Sequence, residues 1–213
     1  RCGTLFAHEL FDIKADIMTI AKGVGGGVPM GAFLATEKVA SGFVPGDHGT
    51  TFGGGPLVCA AANSVLDTIL DEGLLENSKK VGAYFKDKLN ELKEKHDKIV
   101  DVRGHGLMIG VELSENGAAY VDKLREMGFL INCTAGNVLR FVPPLIITED
   151  EIDKFVEALD KALKIFQFFF FKTFSNAVDN SNVFIFSKLA HIQSSCSSLI
   201  ATFPVIFFKY IIT

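Results

Sequence analysis

The chain has 213 residues, 48% of them hydrophobic and 22% charged, with a formal net charge of −4. This composition fits one globular domain or two small ones able to bury a core. The acidic balance, with no basic cluster interleaved with aromatics, gives no footprint for nucleic acid. The four cysteines, Cys2, Cys59, Cys133 and Cys196, are scattered without a Cys-x-x-Cys pair. That spacing argues against a disulfide scaffold or a zinc knuckle and for a reducing, cytoplasmic setting. The five histidines show no metal-ligand spacing either, so no metal site is expected.

In chain order, Asp16 to Ala21 reads as a short buried strand leading into Lys22, and Gly31 to Ala35 as a second strand. Between them runs Lys22-Gly-Val-Gly-Gly-Gly27. A lone lysine followed by glycines is what a Schiff-base site needs. The amine must meet a flat aldehyde without a Cβ-bearing neighbour in the way, and glycines let the backbone approach closely. The run is not a dinucleotide fingerprint, because Val28 stands where the third glycine of Gly-x-Gly-x-x-Gly belongs. Next, His48-Gly-Thr-Thr51-Phe-Gly-Gly-Gly55-Pro56 places two hydroxyls and several glycines just before a predicted helix, which suits phosphate binding.

Pro56 fits the first turn of a helix running to about Asp71, with Ala60, Ala61 and Ala62 for close packing. After a break at Gly73, a long amphipathic helix carries Val81, Tyr84, Phe85, Leu89 and Leu92 at helical spacing, and its Lys- and Glu-rich face is a solvated surface. Leu107 to Leu113, Phe129 to Asn132 and Val138 to Phe141 read as strands. Thr148 and Glu151 form a capping box that opens a helix to Leu163, with Ile152, Phe155, Val156, Leu159 and Leu163 as its buried stripe. Helices and strands alternate, so the class is α/β or α+β.

Beyond Leu163 the composition changes. From Ile165 to Thr213 the only charged residues are Lys172, Asp179, Lys188 and Lys209, while 11 of the 20 phenylalanines fall there. A tail of this kind, with no 3.6-residue period, is expected to be disordered rather than to pack as a domain. Leu199 to Phe208 is too short for a membrane span, which needs roughly 20 residues.

Five ordered segments resemble the class III, pyridoxal-phosphate-dependent aminotransferases, and among them the acetylornithine branch. These are Arg1-Cys-Gly-Thr-Leu-Phe-Ala7, Pro45 to Pro56, Arg103-Gly-His-Gly-Leu-Met-Ile-Gly110, Leu130-Ile-Asn-Cys-Thr-Ala-Gly136 and Leu139-Arg-Phe-Val-Pro-Pro-Leu145, and the Lys22 stretch resembles the same family. The resemblance covers Arg1 to about Leu163. It implies the C-terminal part of a fold-type I transferase: residues 1–72 from the end of the large cofactor-binding domain, residues 73–163 as the small C-terminal domain, and 164–213 as a non-homologous tail. It also implies that the family's phosphate-cradling turn, ring-stacking aromatic, pyridine-nitrogen Asp and a substrate arginine lie outside this chain. The chain as given is therefore expected to be inactive.

Within the chain, the resemblance implies that Lys22 carries pyridoxal 5'-phosphate and moves the substrate proton. It implies that Thr51 reaches the cofactor phosphate of the other subunit in a homodimer, that Thr50 contacts substrate, and that Arg140 pairs with a substrate carboxylate. Each has a plainer reading beside it: a surface lysine, a loop hydroxyl making a turn or cap for Thr50 and Thr51, and a structural ion pair for Arg140. Arg103 is read as tying strand to turn. Gly55 departs from the family's asparagine before the proline. The implied reaction moves the δ-amino group of N-acetylornithine to 2-oxoglutarate in arginine biosynthesis. The alternatives are another ω-aminotransferase of the group, acting on ornithine, succinylornithine or 4-aminobutyrate, and an inactive product of an interrupted gene.

Overall fold

The computed structural model describes residues 1–179, with side chains through Ile165. It divides into two units, Arg1–Leu163 and Lys164–Thr213. In the first, a 3-10 turn (Ala7–Phe11) precedes β1 (Ile17–Ile20), which pairs antiparallel with β2 (Ala32–Ala35), Ile17 opposite Ala35 and Ile20 opposite Ala32. A single turn, α1 (Glu37–Ala40), and an exposed loop lead to α2 (Pro56–Asp71). Pro56 takes the first turn of α2, where its missing N–H leaves no helical bond unmade.

After Gly73 comes α3 (Leu74–Lys95), then the hairpin β3 (Ile99–His105) and β4 (Met108–Leu113). Helix α4 (Ala118–Glu126) leads to a second hairpin, β5 (Asn132–Thr134) and β6 (Val138–Phe141). The four strands form one antiparallel sheet in the order β3-β4-β6-β5. Helix α5 (Glu149–Asp179) follows. The Thr148 cap operates as its residue types require: Thr148 N donates to Glu151 Oε2 at 2.9 Å and Glu151 N donates to Thr148 Oγ1 at 3.3 Å.

The core lies where α3, α4 and the first part of α5 meet the four-stranded sheet. Phe85, Phe141 and Phe155 stack mutually with ring centroids 5.0–5.7 Å apart, and Leu89, Val111, Leu124, Leu139 and Leu159 are fully buried around them. Each such side chain contributes about 1.5–3 kcal/mol by leaving water. Polar ties then fix α3 against α5. The Tyr84 hydroxyl donates to Asp153 Oδ1 at 2.6 Å, a bond that pushes its pKa up to about 12. His96, 4% exposed, meets Asp160 at 2.7 Å. Arg103 on β3 binds Asp101 of the same strand and Glu112 of β4 at 2.9 and 2.6 Å, so it ties strand to strand rather than strand to turn.

Five features depart from the sequence expectations. β1 is not the buried strand read from Asp16 to Ala21, since Ile17 is 50% exposed and none of its residues is buried. β3 was not legible because a register shift between Ile99 and Asp101 breaks its alternation, leaving Ile99 and Val102 buried three positions apart. α4 buries only Tyr120 and Leu124, too few apolar residues for a visible stripe. β5 starts at Asn132 rather than Phe129, because Phe129 N bonds Leu124 O at 2.8 Å and so closes the end of α4 instead of opening a strand. Finally, α5 does not stop at Leu163; its backbone continues through Asp179, and residues 164–179 contain neither Gly nor Pro to end it. The expectations for 180–213, including Leu199 to Phe208, lie outside the described residues. Among those residues no helix is long and apolar enough to cross a membrane, and no His, Cys, Asp and Glu cluster could hold a metal ion.

Helix α3 crosses the β3–β4 turn at Gly82, where an added Cβ would land on the carbonyl group of Gly106. Both obstacles are backbone, so neither can swing aside. Gly82→Ala, a change that stabilises an exposed helix, should instead destabilise this chain by about 1–3 kcal/mol. Chemical denaturation of the two proteins side by side checks this.

Candidate active site

The crossing from β1 to β2 is a 3-10 turn, Lys22–Gly25, entered from Ala21 in extended backbone. Lys22 itself has φ 62, one of three non-glycine residues among those described with positive φ. A left-handed backbone costs an L-residue roughly 1–2 kcal/mol, so the surrounding structure must hold it there. What holds it is α2. Gly25 is buried, and a Cβ on Gly26 would stand 2.9 Å from Val65 Cγ2, so the turn lies directly on that helix. The Lys22 side chain is exposed, with no hydrogen bond or ion pair among the described residues. Beside it, a Cβ at Gly23 or Gly27 would meet nothing within 4 Å. Lys22 thus stands on a turn seated against α2, beside glycines whose missing Cβ atoms would meet no neighbour.

Thr50 and Thr51 lie in the exposed loop that ends at α2. Thr50 Oγ1 accepts a hydrogen bond from Gly53 N at 3.1 Å, the turn-making role weighed for it above. The Thr51 side chain is exposed and has no partner among the described residues. Gly55 stands at the helix N-cap with no side-chain cap bond. The turn that bears Lys22 packs on α2 and the loop that bears the two threonines ends at it, but no hydrogen bond joins Thr51 to Lys22 or to Arg140 among the described residues.

Arg140 sits apart from both, on β6, facing Asn132 of β5 in register. It lines an open cleft of about 890 Å³ whose other walls include Phe129, Leu130, Phe141, Pro143 and Ile146; Lys22, Thr50 and Thr51 do not line it. Its Nε donates to Asn132 Oδ1 at 3.1 Å. It has no carboxylate partner among the described residues, which leaves the structural ion pair without support. Of the acidic groups at the rim, Glu151 is engaged by Thr148, whose backbone N–H and hydroxyl hold its carboxyl below the usual range. The cleft wall is pinned from α3 by Asn77, whose Nδ2 donates to Leu145 O at 2.7 Å and Ile147 O at 3.1 Å, and by the Arg1 guanidinium bound to the Pro143 carbonyl.

Asn77 and Asn132 were not singled out from sequence. The signal for Asn132 was a polar residue at the edge of an apolar strand, opposite an arginine once the hairpin is paired; Asn77 carried none beyond its place in the first turn of a helix.

The family described as Aminotransferase class-III matches residues 1–163. An acetylornithine aminotransferase of Methanothermobacter thermautotrophicus is 52% identical over 159 residues, covering 75% of this chain and 41% of the relative. The crystal structure of an acetylornithine aminotransferase from Elizabethkingia anophelis superposes with a TM-score of 0.71 at 37% identity, over 76% of this chain and 42% of that one. An ornithine aminotransferase structure from Toxoplasma gondii gives 0.73 at 36% identity, over 78% and 41%. The chain spans about two fifths of the length of the curated relatives it matches.

The left-handed turn makes a prediction free of any assay. Lys22→Gly removes the Cβ penalty whereas Lys22→Ala keeps it, so the glycine variant should be more stable than the alanine variant by about 1 kcal/mol. Urea unfolding of the pair measures the difference.

Proposed function

The chain belongs to the class III aminotransferases, and from that premise we propose that it is the lysine-bearing part of an acetylornithine aminotransferase. The observation that carries the reading is Lys22: an exposed, unpartnered primary amine on a backbone held at φ 62, inside a stretch about half identical to acetylornithine aminotransferases. Members of this family depend on pyridoxal 5'-phosphate. The chemistry of the residues present fits that group: Lys22 offers a primary amine with no partner among the described residues, and a Cβ added at its neighbours Gly23 or Gly27 would meet nothing within 4 Å. When bound, the cofactor supplies an electron sink for the carbanion left by deprotonating the substrate carbon.

This chain's own residues would do the rest. Lys22 holds the cofactor and, as a neutral amine when released, takes and returns the proton at the substrate carbon. Thr51 donates its hydroxyl to the phosphate dianion of a partner subunit, and Thr50 lies next to the substrate. Arg140 offers a guanidinium fork to a substrate carboxylate. In this reading residues 1–72 complete the large domain and 73–163 form the small one.

A homodimer follows from the role of Thr51 and is supported by the exposed apolar side chains of the first 72 residues, Phe33, Phe43, Phe52 and Leu57 among them, which are 54–88% accessible. The scattered cysteines favour the cytoplasm. The acetylornithine branch is favoured because curated relatives at 52, 50 and 48% identity bear that name, although among the solved structures the acetylornithine and ornithine enzymes stand level, at 37% and 36%.

The test is the full-length protein assayed with 2-oxoglutarate and either N-acetylornithine or ornithine. The proposal expects glutamate formation with N-acetylornithine as the preferred donor; preference for ornithine would overturn the branch. Lys22→Ala and Thr51→Ala should each lower activity, the lysine change on the order of 10²–10⁴-fold. Mixed and refolded, the two variants should recover part of it, because each hybrid dimer has one site free of both lesions. Hybrids that form yet recover nothing would sink the cross-subunit role of Thr51.

A further inference from the structure

Arg140 has a neighbour on each side in the sheet, and the two differ. Toward β4 it faces Gly110, which offers no side chain. Toward β5 it faces Asn132, whose Oδ1 accepts the Nε–H at 3.1 Å. Every other N–H of the guanidinium sits on the two terminal nitrogens, and none has a partner among the described residues. Asn132 and Arg140 line the same cleft, where Asp150 and Glu151 stand at the rim without pairing to the arginine.

We infer that Asn132 is a positioning residue: it fixes Arg140 through Nε and so leaves the terminal fork of the guanidinium free, and fully charged, for a carboxylate ligand in the cleft. The inference rests on the proposed carboxylate role of Arg140 and adds what makes that role work. An exposed arginine on a short strand has several rotatable bonds, and a free fork would spend its time in many directions. One bond at Nε removes most of that freedom while leaving untouched the two-pronged face that matches a carboxylate. The acceptor must be neutral. An amide oxygen takes one N–H and leaves the positive charge in place, whereas a carboxylate at 132 would form a bidentate ion pair with the same fork and compete with the ligand. The bare Gly110 on the other side means that no second side chain shares the task.

The experiment is an NMR titration of the 213-residue chain with glutarate as a dicarboxylate probe, read on the Arg140 side chain and on the backbone amides from Phe129 to Asn132. Asn132→Ala should speed exchange of the Arg140 Nε–H and weaken glutarate binding roughly five- to tenfold. Asn132→Asp, nearly isosteric, should leave the fold and thermal stability in place yet weaken binding further than alanine does. A purely structural role for Asn132 would give the opposite order, with Asp tolerated better than Ala. Glutarate affinity and Nε–H exchange unchanged in both variants, while Arg140→Gln still loses binding, would overturn the positioning role and leave the arginine reading standing. Unchanged binding in Arg140→Gln would overturn the arginine reading and this inference with it.

Discussion

Where α3 passes over the β3–β4 turn, two backbones touch with no side chain between them, and the rest of the first unit is arranged around that contact. Gly82 on the helix and Gly106 in the turn leave no space for a Cβ on the helix side. The same turn receives the start of the chain: Leu107 N donates to Arg1 O at 2.9 Å, and the Arg1 guanidinium reaches on to the carbonyl of Pro143. One close approach thus joins the amino-terminal segment, the central sheet and the wall of the Arg140 cleft. Ordinary apolar burial by Phe85, Phe141, Phe155 and their neighbours then stabilises an arrangement whose spacing the glycines have set.

The two candidate binding features depend on backbone in different ways. Lys22 is held against strain: its left-handed backbone is kept in place by packing, with Gly26 seating the turn on Val65 of α2. Arg140 is held by pairing, through strand register and one amide acceptor on β5. The first fixes where a reacting amine stands, and the second would fix how a charged fork is aimed.

Local structure was more legible in the sequence than long-range geometry. Lys22 before a glycine run, the Thr148–Glu151 cap and the α3 stripe through Val81, Phe85, Leu89 and Leu92 could be read from residue type and spacing, because each follows a local rule. The left-handed φ at Lys22 could not, since lysine gives no local reason for it and the cause is a helix more than thirty residues later. β3 was hidden by its bulge and α4 by its polarity. The Asn132–Arg140 contact needed the hairpin register, which the sequence leaves open while β5 can be drawn one turn too early. Long-range pairing is what local patterns omit.

The account stands or falls on Lys22. The full-length protein, isolated with its cofactor, reduced with borohydride and digested, should yield a single cofactor-labelled peptide, and that peptide should contain Lys22. A label on any other lysine, with Lys22 recovered unmodified, would contradict the central claim.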